Sequence, residues 1–336
     1  MNQIMVLKMK PQILNSKQHF FLAILVVAAC QLAIAVPVYA SCGAAFCSVN
    51  SDWGTHGTAY DPGVRVGLRY EYIKQDQLHA GSNKTSAQGL SDTHDEISTY
   101  NRNILASLDY VADADWGLAV QLPLLNRAHS HIHNDPVNGP ETETWHYTDM
   151  GDISLIGRYQ LPHKALQTTS GGIKFGIKLP TGRIDQANTD NQLAERSLQP
   201  GSGSTDLIAG ADYHGQFPGS AANWFIQGLW QHAVTTRDHY RPGDHLTFDM
   251  GVSYYVNQRL SLMLQLNTLI KNRDSGANAE PESSGGKSVN LSPGLSYAVS
   301  KKAQVYGFIQ KPVYQYVNGV QLTSDWSAVV GIGYRL

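Results

Sequence analysis

Beyond residue 62, apolar side chains return at every second position, in segments of about ten residues. The clearest run places Leu260, Leu262, Leu264 and Leu266 on one face, with Ser261, Met263 and Gln265 on the other. Just before it, Leu246, Phe248, Met250, Val252, Tyr254 and Val256 oppose Thr247, Asp249, Gly251 and Ser253. Only Asn257-Gln258 separates the two faces, a spacing that predicts a tight hairpin. The same alternation runs through 64–72, 104–110, 116–124, 153–161, 173–179, 207–213, 224–230, 289–299, 303–313 and 326–336. Twelve segments result, and no stretch after residue 40 approaches the length of an apolar membrane helix. Mean hydropathy is below zero, which by itself suggests a soluble protein. The period argues otherwise: lipid-facing and lumen-facing side chains alternate along every strand of a membrane barrel.

The connections sort by parity. Links after even segments are short (112–115, 162–169, 215–222, 257–258 and 300–302). Those after odd segments are long and polar, as at 75–99, 127–147, 181–203 and 272–287. The pattern predicts an all-β fold, a closed antiparallel transmembrane β-barrel of about twelve strands. Short turns and both termini lie on the periplasmic side, with long loops outside. Each even segment also carries a tyrosine near its end: Tyr110, Tyr159, Tyr213, Tyr254, Tyr297 and Tyr334. With 17 tyrosines in the chain, this placement predicts a periplasmic aromatic girdle, joined by Trp116 and Trp224.

The N-terminal part changes the compartment. Lys8, Lys10 and Lys17 precede an apolar run from 20 to 40 that ends Val38-Tyr39-Ala40, the form of a signal peptide cleaved after Ala40. A retained signal anchor and a lipoprotein processed at Cys30, after Val27-Ala28-Ala29, are the alternatives. The expected organisation is therefore 1–40 signal peptide, 41–62 periplasmic segment and 63–336 barrel. Losing the three lysines takes the formal charge from −2 to −5, so nothing favours a nucleic-acid partner. Cys42 and Cys47 then remain, and in an oxidising periplasm they predict a small disulfide loop rather than a zinc or haem site. The segment 41–61 is also a candidate barrel plug.

The opposite parity lists the lumen. Its charged candidates are Arg65, Arg69, Glu71, Asp109, Asp152, Arg158, Lys174, Lys178, Asp206, Asp212 and Asp249. Buried charges must be paired or wet, so this set predicts either a salt-bridged interior or a water-filled path. The inward residues Gly67, Gly176, Gly210, Gly251, Gly331 and Gly333 would widen the bore or relieve curvature.

Three ordered pieces carry a family resemblance: Gly151-Asp152-Ile153-Ser154-Leu155 with Arg158-Tyr159, then Gly176-Ile177-Lys178-Leu179-Pro180-Thr181-Gly182, then Pro200-Gly201-Ser202-Gly203-Ser204-Thr205-Asp206. Together they span the middle third of the chain. They resemble the outer-membrane family named for the MetA pathway of phenol degradation. The resemblance implies a channel-like barrel for small hydrophobic or aromatic solutes, with outer-membrane lipid and the barrel-assembly machinery as partners. One departure concerns that machinery: Tyr334-Arg335-Leu336 keeps the apolar parity but ends without an aromatic ring.

Candidate chemistry is sparse. His129, His131 and His133 share one face if extended, with Asp135 and His146 nearby, and could ligate zinc or copper in an external loop. Solvated loop histidines are the plainer alternative. No G-x-S-x-G elbow, phosphate loop or H-E-x-x-H is present, and no serine–histidine pair is placed by spacing, so neither an enzyme nor a cofactor is expected. A metal-binding surface barrel and a structural or adhesive barrel with a closed lumen are the rivals to a channel.

Overall fold

The computed structural model describes residues 62–86, 94–113, 115–135, 137, 139–161 and 168–336. The expected leader at 1–40, the Cys42–Cys47 pair and the segment 41–61 lie outside those residues. Strands β1 (Gly63–Gly81), β2 (Asn83–Lys84), β3 (His94–Val111), β4 (Trp116–Asp135), β5 (Gly139–Met150), β6 (Ile153–Gln160) and β7 (Thr169–Leu179) occupy the first half. They are followed by β8 (Asp206–Gln216), β9 (Ala222–Ala233), β10 (His245–Tyr255), β11 (Leu260–Lys271), β12 (Gly286–Ala298) and β13 (Ala303–Arg335). Consecutive wall strands pair antiparallel, and β1 also pairs with β13, from Arg65 opposite Arg335 to Gly81 opposite Val317. The sheet therefore closes, which removes exposed edges from the hydrocarbon.

β13 is antiparallel to both β12 and β1, and in a closed sheet with every other neighbour antiparallel a single direction cannot satisfy both. The strand must reverse. Its first arm, 303–317, lies on β12, and its second, 320–335, lies on β1. The reversal falls at Asn318-Gly319, where Gly319 has a φ of 50°, and Gln315 Nε2 donates to the Ser324 carbonyl at 3.0 Å between the arms. Among the described residues the wall thus has twelve staves: β1, β3, β4, β6 to β12 and the two arms of β13.

Polarity is inside out relative to a soluble protein. Leu68, Leu118, Leu207, Leu262 and Val330 face outward and are exposed, whereas Glu71, Asn103, Asp206, Asn267 and Ser292 are buried within. Lipid solvates the first set and only protein or water can satisfy the second. No helix among the described residues is long and apolar enough to cross a membrane; strands do the crossing. Tyr110, Tyr213, Tyr254, Tyr297 and Tyr334 stand exposed on the outside at the expected level. Tyr159 is half-buried against Trp116, 4.7 Å between rings, and Tyr213 pairs with Trp224 at 5.3 Å.

The long links expected at 75–99 and 127–147 are in large part strand. β1 continues to Gly81 and β3 begins at His94, while β4 and β5 form a tall hairpin with Asp135 opposite Gly139. A strand rising about 2.5 Å per residue along the barrel axis lifts His129 roughly 33 Å above the level of Trp116, beyond the ~25 Å apolar band. Neither face of this extension meets lipid, so its sequence loses the apolar–polar alternation while the backbone ladder and the inward–outward alternation of its side chains continue.

Candidate functional site

Inside the wall, the sequence-predicted charges separate into three groups. Arg65, Arg69, Asp109, Arg158, Lys174 and Asp249 line a cavity of about 330 Å³ in the lumen. Glu71 is wholly buried beside it, held by Arg69 and by Asn103 Nδ2 at 3.2 Å. Asp212 is also buried and pairs with His214 at 3.2 Å. The cavity is not uniformly polar, because the inward-facing Leu105, Ile156, Leu229 and Tyr306 share its lining. Four basic groups against two acidic ones give it a positive balance.

A belt of neutral polar groups continues the cavity around the wall. Lys174 on β7 donates to Gln227 on β9, and Gln227 reaches Asp249 on β10 at 3.4 Å. Asn267 on β11 donates to Asp249 at 2.9 Å, and Ser292 on β12 to Asn267 at 2.7 Å. Gln310 and Ser327, on the two arms of β13, complete the run with 3.3 Å contacts. Only charges were expected here from the sequence, although inward parity at Gln227, Asn267, Ser292 and Gln310 marks these amides and hydroxyls equally well. Each buried polar group finds a partner here, which is what makes such an interior affordable.

Two of the inward glycines, Gly251 and Gly331, have a local cause. A Cβ on Gly251 would stand 2.6 Å from the Phe225 ring, and one on Gly331 would stand 2.3 Å from the Tyr306 ring. Large cross-strand side chains occupy the space over these glycines, so they accommodate rings against the wall instead of widening a bore.

Asp152, Lys178 and Asp206 form the third group, a knot at the external end of β6, β7 and β8. Lys178 bridges Asp152 at 3.1 Å and Asp206 at 3.0 Å. Asp152 also accepts from Gly182 N (3.0 Å), Ser202 N (2.9 Å) and Ser202 Oγ (2.7 Å). Asp206 accepts from Ser204 Oγ and from Gln231 Nε2, both at 2.6 Å. All three resembling motifs converge on this point. Their glycines follow from backbone crossing: a Cβ on Gly201 would lie 2.3 Å from the Gly182 carbonyl oxygen, and one on Gly182 would lie 2.6 Å from the Gly201 Cα.

The knot anchors the loop 180–205, which folds onto the inner face of the β4–β5 hairpin. There Arg127 and Tyr147 both donate to the Leu198 carbonyl, and Trp145 packs against Ala194 and Leu198. Arg196 joins this loop to the next, 3.4 Å from Asp238 and over the Tyr240 ring at 5.0 Å. The loop 234–244 then grips 272–285 through Tyr240 Oη and Gly243 N, which donate to Asp274 at 2.9 and 2.7 Å. Three external loops are thereby tied into one cap.

Asp274 makes that cap sensitive to acid. Burial alone would raise its pKa, but Lys271 at 2.9 Å, with the Gly243 N–H and the Tyr240 hydroxyl, outweighs it and holds the carboxyl below its usual 3.8. A depressed folded-state value contributes stability that is present above 3.8 and lost as pH falls through the lower value. Amide exchange across 234–244 and 272–285, corrected for the intrinsic chemical rate, should therefore accelerate below that pH. Asp274→Asn should show the fast exchange already at neutral pH; protection equal to that of the unsubstituted protein would count against this role.

The histidines expected on a loop sit on the strands of the hairpin, His129, His131 and His133 on β4 and His146 on β5. His129 and His131 point inward with Glu96 of β3, and their ligand atoms lie within 4.8 Å of one another. His133 lies two residues nearer the tip, opposite Glu141, and His146 pairs with Ala128 on the alternate face, so neither joins that group. Glu96 was not anticipated: it is 33 residues from His129 in sequence, and only the β3–β4 register brings them together. Glu195 of the loop 180–205 is a further neighbour, its carboxyl pushed well above the usual range by burial and by Glu96.

The family model described as "Putative MetA-pathway of phenol degradation" matches residues 107–323, which include the entire knot. No curated relative matches the sequence significantly. Among solved structures, the COG4313 outer membrane channel from Pseudomonas putida F1 is similar with a TM-score of 0.63 at 14% identity, covering 85% of this chain and 100% of that one. A Pseudomonas aeruginosa FadL homologue (TM-score 0.44, 10% identity, 89% and 99% covered) and the KdgM porin (0.41, 10%, 80% and 99%) are more distant. Closed wall, outward apolar band and tyrosine girdle together place the protein in the bacterial outer membrane. With the match running through most of the barrel wall and all three converging motifs, the chain belongs to the MetA-pathway phenol-degradation family of outer-membrane barrels.

Proposed function

We propose that the barrel is a passive channel for small, predominantly apolar or aromatic molecules that carry a polar or acidic substituent. The observation that carries this reading is the mixed lining of the lumen cavity. Leu105, Ile156, Leu229 and Tyr306 offer an apolar surface, and Arg65, Arg158 and Lys174 offer donors on the same wall. Its volume of about 330 Å³ is at the small end of ligand-sized pockets, ample for a single ring. Membership of a family named for phenol degradation supports the same solute class. The cap would screen solutes outside, and the belt from Lys174 to Ser327 would keep the interior wet without unpaired polar groups.

The test is reconstitution of the purified barrel in planar lipid bilayers, with flux into liposomes measured in parallel. Stepwise conductance that falls when phenol or benzoate is added, with entry of both into liposomes, is the expected result. A barrel with neither conductance nor flux would be a structural or adhesive one, and the channel reading would fail.

A further inference from the structure

We propose that Glu96, His129 and His131 bind one divalent late first-row transition metal, zinc being the type case, on the inner face of the β3–β4 hairpin outside the bilayer. His129 Nε2 lies 3.3 Å from His131 Nδ1 and 3.6 Å from Glu96 Oε2. Two ligand atoms each about 2.0–2.1 Å from a tetrahedral zinc ion stand about 3.3–3.4 Å apart, so these two separations are near-coordinating, and all three ligand atoms lie within 4.8 Å of one another.

The remaining ring nitrogens supply the second argument. His131 Nε2 faces Glu143 Oε2 at 3.0 Å, and a carboxylate only accepts, so the proton belongs on Nε2 and the lone pair on Nδ1. His129 Nδ1 faces Thr99 Oγ1 at 2.8 Å, which orients that ring with Nε2 toward the cluster. An outer carboxylate or hydroxyl that orients a ligating imidazole is the usual support of a metal-bound histidine. The Thr99 hydroxyl can accept from Nδ1, and in that tautomer two nitrogen lone pairs and a carboxylate oxygen face a common point that a cation would share.

The surroundings fit a held ion. All three side chains are buried, and the Trp145 ring covers the imidazoles at 4.8 and 5.7 Å. The neighbouring Glu195 adds a second acid, and through its loop the site touches the cap. His2Glu leaves one tetrahedral position for water, Glu195 or a passing ligand. An ion here would join β3, β4 and the loop 180–205 at the external mouth.

The experiment uses tag-free purified barrel in detergent, stripped with EDTA, titrated with Co2+ and then displaced with Zn2+. One equivalent of Co2+ with the intense visible absorption of tetrahedral geometry is expected. His129→Ala combined with His131→Ala, and separately Glu96→Gln, should abolish that signal, while His133→Ala and His146→Ala should leave it unchanged. Glu143→Gln, which keeps the ligands, should weaken binding by about 10–100-fold. It carries the test if a ligand variant fails the heat-modifiable migration of a folded barrel. No uptake by the unsubstituted protein would mean that the imidazoles share only a proton, and the proposal would fall. Equal uptake after loss of His129 and His131 would overturn it as well.

Discussion

Replacing Lys178 with methionine should destabilise the barrel by about 3–5 kcal/mol, the usual effect of removing one partner from a buried ion pair. The expectation rests on what remains behind. Lys178 is the cation that bridges Asp152 and Asp206, whose side chains are 7% and 2% exposed, so its loss leaves two carboxylates close together with little water. Asp152 keeps three other donors and Asp206 two, so the cost should come mainly from the mutual repulsion of the two carboxylates. The measurement is the temperature at which the folded barrel converts to its unfolded electrophoretic form. Proteolysis within 183–199 would run alongside, because the knot anchors that loop. Lys178→Arg should recover much of the loss, since the charge is retained. Gly201→Ala should also destabilise, by a different route, because the methyl group would collide with the Gly182 carbonyl. A Lys178→Met barrel that melts and resists protease like the unsubstituted protein would remove the knot from the account.

The second large effect concerns the cavity. Arg65, Arg69, Arg158 and Lys174 outnumber Asp109 and Asp249, so a conducting lumen should prefer anions. Substituting Arg65→Glu and Arg158→Glu together exchanges two positive groups for two negative ones, turning an excess of two positive into an excess of two negative. The reversal potential in a salt gradient should then change sign, and benzoate flux should fall more than phenol flux. The effect should weaken at high ionic strength, where screening shortens the reach of each charge. An unchanged reversal potential would show that ions take a path away from this cavity, or that the cavity does not limit conduction.

Much of the architecture was legible because a bilayer imposes a simple rule on each residue. A strand between lipid and lumen must alternate, so Leu260 to Leu266 and its counterparts announced the staves, and loop length announced their direction. The even count followed, and it resolves β13: one continuous strand of 33 residues is two staves joined at Asn318-Gly319. The inward charges were equally readable from parity. Their partners were not, because parity says which way Lys178 or Arg69 points and nothing about what waits there.

The extension of β1, β3, β4 and β5 marks where the rule stops. Above the bilayer no lipid face demands apolar residues, so 127–147 reads as polar loop although it is regular sheet. Sheet hydrogen bonds belong to the backbone and need no particular side chain to continue. The histidines therefore appear in the sequence as a loop cluster of four candidates, whereas the strand register brings two of them, His129 and His131, beside Glu96.

By itself, then, the sequence determined the barrel, its strand count, its orientation and its aromatic level, all of which follow from period and length. Only the tertiary structure decided how the three mid-chain motifs meet at Lys178, which rings cover which glycines, how the external loops interlock, and which acid faces His129. Those are contacts between residues tens of positions apart, and their geometry is set by strand register and loop packing, quantities that leave no local trace in the chain.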